Sequence, residues 1–216
     1  KPLYLPEVYQ ASDRQRRHSA PPSRADVGLP DNAFVFCSFN NNYKFTPEVF
    51  ASWMNILQRC PGSVLWLLAD NAWAEANLRR EALARGVSDT RLVFAPRAAP
   101  EDYLARYALA DCFLDTYPFN AGTTANDALW MGLPVLTRTG RTFASRMAGA
   151  LLTAAGLPEL IADDIADYEN RAVALALAPE RCRALRERLG RVRSEGVLFD
   201  TPRFVRNLEA ALEGLV

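Results

Sequence analysis

From Ala33 onward, apolar runs of strand length alternate with stretches whose apolar side chains recur at helical spacing, and this alternation restricts the chain to a layered sheet-and-helix architecture. Ala33–Ser38 (AFVFCS) has no polar alternation, so the spacing predicts a strand covered on both faces, as in a parallel sheet. A helix follows, with Thr46 as cap and Pro47 in its first position. Val49, Phe50, Trp53, Ile56, Leu57 and Cys60 line one side of it, and Pro61-Gly62 stops it. Val64–Ala69 is the second strand, and Glu75–Arg85 an amphipathic helix ended by Gly86. Leu92–Phe94 is a short third strand, Glu101–Ala110 a helix, and Asp111–Asp115 the fourth strand. Thr123–Gly132 is a helix leading into a fifth strand at Pro134–Thr137. The remainder is expected to be mainly helical, over Ala144–Ala155, Ile165–Leu177, Pro179–Val192 and Pro202–Leu215.

At least five strand-helix steps make this an α/β chain, a Rossmann-like doubly wound parallel sheet with a helical C-terminal extension. Residues 33–216 are expected to form this domain. Residues 1–32 hold five of the fourteen prolines and the cluster Arg14, Arg16, Arg17 without a sustained period, and read as a linker or lead-in from a preceding lobe. Right-handed crossovers put every loop that follows a strand at one edge of the sheet, so function is expected after strands one, three and four.

Several classes of chemistry are disfavoured. Twenty-five Lys and Arg balance twenty-five Asp and Glu, which argues against the broad basic field of a nucleic-acid binder. Cys37, Cys60, Cys112 and Cys182 are far apart with no zinc spacing and read as reduced thiols of a cytoplasmic protein. His18, the single histidine, sits in the polar lead-in, so a histidine-based triad or metal site has almost nothing to draw on. No apolar stretch is long enough to span a membrane, so no membrane partner is expected, and the Lys1-Pro2 start suggests part of a longer polypeptide.

Two loops carry the candidate site. Thr116–Thr124 (TYPFNAGTT), after strand four, opens directly into a helix, and a small-residue turn at a helix N-terminus offers free N–H groups to a phosphate. Asp127 follows Thr123 by one turn and projects a carboxylate from the same mouth, suited to a ribose diol. A threonine-capped helix with a glycine turn accounts for the same residues without any ligand. Phe39–Lys44 (FNNNYK), after strand one, brings Lys44 to the same edge, where a cation would stabilise charge on a departing diphosphate. Tyr103, after strand three, is either a ring beside a base or a packing residue. The chain has no GxGxxG, no GxxxxGK[ST] and no Asp-x-Asp, which disfavours dinucleotide, P-loop and metal-bridged diphosphate sites; no cofactor or metal is expected.

Phe39–Lys44, Leu114–Thr116 (LDT), Ala121–Thr124 (AGTT), Asp127–Thr137 (DALWMGLPVLT), Ala144–Arg146 (ASR) and Leu151–Leu157 (LLTAAGL), in that order, resemble the C-terminal catalytic region of the SPINDLY and O-GlcNAc transferase family, particularly its bacterial members. The likeness runs from about Leu5 to the C-terminus. It implies the C-terminal lobe of a two-lobe GT-B glycosyltransferase, with an N-terminal lobe and tetratricopeptide repeats preceding this chain. It further implies transfer of a sugar from a nucleotide-diphosphate donor to a Ser or Thr hydroxyl of a protein, with inversion; a related bacterial branch glucosylates asparagine. By that likeness Lys44 contacts the diphosphate and assists the leaving group, with Asn41 beside it. Thr123 and Thr124 bind phosphate oxygens, Asp127 holds the ribose, and the Ala98 backbone meets the base. Tyr103 and Gly122 stand where animal members have histidines. UDP-N-acetylglucosamine is the donor the likeness favours, with GDP-fucose and UDP-glucose the alternatives. A non-catalytic nucleotide-binding or protein-interaction module is the competing reading.

Overall fold

The computed structural model describes residues 3–214. Six parallel strands, β1 (Val35–Ser38), β2 (Val64–Leu68), β3 (Leu92–Ala95), β4 (Cys112–Leu114), β5 (Val135–Arg138) and β6 (Ile161–Ala162), form one sheet in the order β3-β2-β1-β4-β5-β6. β1 lies between β2 and β4, with Val35 opposite Val64 and Phe36 opposite Cys112. The chain therefore winds outward from β1 to one edge, returns to the centre, and winds outward again from β4. That reversal opens a crevice at the carboxyl ends of β1 and β4. All four residues of β1 are buried, as the absence of polar alternation required.

The helices are α1 (Pro47–Arg59), α2 (Ala72–Ala84), α3 (Pro100–Arg106), α4 (Thr123–Trp130), α5 (Met147–Ala154), α6 (Ile165–Leu177), α7 (Pro179–Glu195) and α8 (Thr201–Glu213). Thr46 Oγ1 accepts from Val49 N at 3.2 Å and Pro47 opens α1, as the sequence indicates. α1 is pinned to α6 and to the end of β4 by a buried relay. Trp53 Nε1 donates to Tyr168 Oη at 3.1 Å, and Tyr168 Oη donates to the Asp115 carbonyl at 3.0 Å. Gly132, at φ +74°, lets α4 end abruptly, with Leu133 N returning to Ala128 O at 2.8 Å.

Several boundaries differ from the sequence reading. α2 begins at Ala72 instead of Glu75, because Asn71 Oδ1 caps Ala74 N at 2.8 Å. α3 ends at Arg106 and tightens into a 3-10 turn over Tyr107–Leu109. α5 starts at Met147 instead of Ala144, since Thr142 and Ser145 hydrogen-bond each other and hold the preceding residues in a turn. The two-residue β6 was not expected.

The described residues of the lead-in include neither strand nor α-helix, yet they are packed. Val8 and Leu29 are buried in the main core. Arg24 donates to the Ala33 carbonyl at 2.8 Å and to Asp111 Oδ2 at 3.1 Å, which itself accepts from Val35 N at 2.8 Å. Further along, Thr201 Oγ1 of α8 donates to Ser12 O at 2.6 Å, and Asn207 Nδ2 donates to Glu7 Oε2 at 3.0 Å. No helix among the described residues is long and apolar enough to cross a membrane.

Candidate functional site

The carboxyl end of β4 runs into Asp115, a carboxylate that is only 2% exposed. Its Oδ1 accepts from Thr116 N and from Ala121 N, both at 2.7 Å, and its Oδ2 accepts from Thr137 Oγ1 at 2.6 Å. One side chain thus fastens both ends of the 116–121 loop and ties them to β5. Within the loop, Thr116 Oγ1 donates to Phe119 O at 2.6 Å, and Asn120 Nδ2 donates to Thr116 O at 2.8 Å. Burial pushes the Asp115 pKa up to about 7, against the opposing pull of these donors and of Lys44.

This loop delivers the chain to the start of α4. Gly122 is the N-cap and supplies no side-chain cap, so the first-turn N–H groups of α4, at the positive end of the helix dipole, have no side-chain acceptor from that residue. A Cβ on Gly122 would come within 2.6 Å of Met147 Cε and 3.4 Å of Tyr9 Oη. The space that a side chain would occupy there is already filled. Thr123 is exposed, while Thr124 Oγ1 donates to Asn40 Oδ1 at 2.8 Å and so joins α4 to the loop after β1.

From that loop, Lys44 reaches across the crevice. Its Nζ donates to Asn120 O at 3.0 Å and lies 4.0 Å from the centroid of the Phe119 ring. Desolvation lowers the Lys44 pKa, and the Asp115 charge partly restores it. Asn41 Oδ1 accepts from Arg97 Nη2 at 3.4 Å, and Arg97 pairs with Asp70 at 2.6 Å. The loops after β1, β2 and β3 are linked in this way. Ala98 is exposed in the loop before α3.

Tyr103 packs against the core, one of the two roles open to it from the sequence, and Asp127 lies deeper than the sequence suggests. The Tyr103 hydroxyl meets that of Tyr107, its ring tilts against Phe39 at 6.1 Å, and burial raises its pKa. Tyr107 Oη in turn donates to Thr124 O at 3.3 Å. Asp127 is buried and ion-paired with Arg16 of the lead-in, and burial raises its pKa despite that partner. Asp115, Asn40, Asn120 and Arg16 were not singled out from the sequence. An acid closing an otherwise apolar strand was a usable signal for Asp115; for Arg16 there was none.

Two cavities, of about 560 Å³ between residues 3–9 and α5 and about 490 Å³ between α6 and α7, include neither Lys44 nor Thr123 in their linings, although Tyr9 and Met147 of the first also lie against Gly122. Lys44, Thr123 and Thr124 instead meet at the carboxyl edge of the sheet, where Lys44 Nζ is held by Asn120 O, the Thr124 hydroxyl by Asn40, and Thr123 is exposed. Such an edge suits a diphosphate.

The profile of glycosyl transferase family 41 matches residues 9–208. A probable UDP-N-acetylglucosamine–peptide N-acetylglucosaminyltransferase SEC from Arabidopsis thaliana is 39% identical over 97% of this chain and 22% of its own length. A UDP-N-acetylglucosamine–peptide N-acetylglucosaminyltransferase from Caenorhabditis elegans is 38% identical over 88% of this chain and 16% of its own length. Among solved structures, an O-GlcNAc transferase mutant of Thermobaculum terrenum superposes with a TM-score of 0.80 at 33% identity, covering 89% of this chain and 38% of that one. The chain therefore spans about a fifth of the length of these curated relatives, between 16% and 22%.

Proposed function

Because this chain belongs to glycosyl transferase family 41, we propose that it is the donor-binding half of a protein O-glycosyltransferase, holding UDP-N-acetylglucosamine for transfer to Ser or Thr of a protein. The observation that carries this reading is Lys44, half-buried and hydrogen-bonded at 3.0 Å to the turn that opens into the uncapped N-terminus of α4. In an inverting transfer the acceptor oxygen forms its bond to the anomeric carbon as the bond from that carbon to the diphosphate breaks. The acceptor proton passes to a general base, and the diphosphate leaves with the bonding pair. Lys44 and the first-turn amides of α4 neutralise the charge gathering on it, the Thr123 hydroxyl donates to its oxygens, and the Thr124 hydroxyl does the same on exchanging its Asn40 Oδ1 partner for the donor. Desolvation makes that cation count for more than it would in water.

Asp127 accepts from the ribose diol in this reading, with Asn41 beside the diphosphate and the Ala98 backbone at the base. The acceptor groove belongs to a preceding lobe and its helical repeats. Cys37, Cys60, Cys112 and Cys182 are all free and buried, which suits a reducing, cytoplasmic setting.

Calorimetry of the full-length protein with UDP and with GDP tests the proposal. Binding of UDP, weakened about tenfold or more by Lys44→Ala and by Asp127→Ala, is expected, since each removes a charge-assisted contact. Failure of the unaltered protein to bind either nucleotide sinks the reading. Nucleotide binding without sugar transfer to any peptide leaves only the non-catalytic module.

A further inference from the structure

The segment from Ser12 to Ser19 crosses the mouth of α4. At one end Ser12 accepts from Thr201 of α8 at 2.6 Å through its carbonyl, while its hydroxyl donates to Asn126 Oδ1 at 3.0 Å. At the other, Ser19 N donates to Glu101 O of α3 at 3.2 Å. Between these fixed points Arg16 Nη2 donates to Asp127 Oδ1. The pair bridges 111 positions of sequence, with 24% of the arginine side chain and 6% of the carboxylate exposed.

A carboxylate this deep needs a partner to remain ionised. Burial drives the Asp127 pKa up; Arg16 opposes that rise by its charge and its hydrogen bond, and the Tyr103 hydroxyl opposes it to a smaller extent by hydrogen bonding. The Tyr107 hydroxyl nearby carries no charge, so Arg16 is the one cation among the described residues that faces the carboxylate. An ionised carboxylate accepts at about four lone-pair positions, so the arginine on Oδ1 leaves Asp127 able to accept from a further donor.

We infer that Arg16 is a positioning residue for donor recognition: it holds the Asp127 carboxylate at the α4 mouth so that the carboxylate accepts from the ribose hydroxyls of the nucleoside diphosphate. The inference rests on the assignment of Asp127 to the ribose made above. Arg16 touches no part of the donor itself and acts through Asp127.

Comparing UDP with 2′-deoxy-UDP isolates the ribose contact from the diphosphate contact. On the full-length protein, calorimetry is expected to give UDP an advantage of about tenfold over 2′-deoxy-UDP, the size of a hydrogen bond to a charged acceptor. Arg16→Gln is expected to erase most of that advantage by weakening UDP while leaving 2′-deoxy-UDP unchanged. Equal weakening of both nucleotides, or of neither, overturns the inference, because a merely structural strap makes no distinction between the two sugars. If Arg16→Gln does not fold, Arg16→Lys, with its shorter reach and single nitrogen, is read the same way: a reduced advantage supports the inference and an unchanged one overturns it. Equal affinity of the unaltered protein for UDP and 2′-deoxy-UDP overturns it while leaving the diphosphate site in place. If the unaltered protein binds neither, the donor reading falls and the inference with it.

Discussion

At Asp115 a carboxylate sits where β4 ends and the 116–121 loop begins, almost without water. Protonation relieves its burial, so the folded state holds a proton there up to about pH 7, whereas the unfolded chain releases it near the ordinary value of 3.8. A native pKa raised in this way contributes stability that is fully present below the unfolded value and is lost as pH rises through the native one. Asp115→Asn keeps an oxygen for the Thr116 and Ala121 amides and removes the charge. Denaturant unfolding of both proteins gives the stability of the unaltered protein minus that of Asp115→Asn. This difference is expected to fall between about pH 4 and pH 7 and to level off above that range. A difference that does not change with pH would contradict this account. Asp115 and Asp127 also mark how far single residues are legible. Both lie in motifs quoted from the sequence, but Asp127 was expected at an open mouth, and the structure buries it under Arg16. A partner 111 positions away leaves no local trace in spacing or periodicity.

Elements were more legible than their junctions. Five of the six strands and the course of α1, α6 and α7 follow from apolar runs, helical spacing and caps such as Thr46 with Pro47. β6 was hidden because two residues, Ile161 and Ala162, are too few to establish a pattern. The start of α5 was misjudged because the Thr142 and Ser145 side chains compete for the backbone that would otherwise begin the helix. How the elements lock together was not legible at all, and the Trp53–Tyr168–Asp115 relay is the clearest instance. Tyr168→Phe removes one oxygen and leaves both Trp53 Nε1 and the Asp115 carbonyl buried without that partner. A loss of about 1–3 kcal/mol in chemical denaturation is expected. A loss below the error of measurement would mean that water replaces the hydroxyl.

Across the whole molecule, the strand order that reverses at β1 and β4 gathers the loops bearing Lys44, Asn120 and Thr124 at one crevice, and the right-handed crossover rule made that edge readable in advance. The packing of the lead-in was not readable, because a proline-rich stretch without periodicity gives no sign of what it lies against. In the structure it runs antiparallel to α8, with Glu7 against Arg203 and Asn207, and Ser12 against Thr201. α8 has no fully buried residue and packs against the core through the partly buried Phe204, so these polar contacts add to a small apolar hold. Glu7→Ala is accordingly expected to speed amide hydrogen exchange over residues 201–213 while leaving β1 and β4 protected. Unchanged exchange in α8 would show that its apolar side chains suffice. The same arrangement has a mechanical consequence. Tension applied through the segments flanking residues 3 and 214 meets the Glu7 contacts first, then Ser12 with Thr201, and then Arg16 with Asp127, one after another as in a zip. The sheet, loaded only after these have parted, is shielded, and the contacts of Glu7 with α8 are the part of the domain that yields to the smallest force.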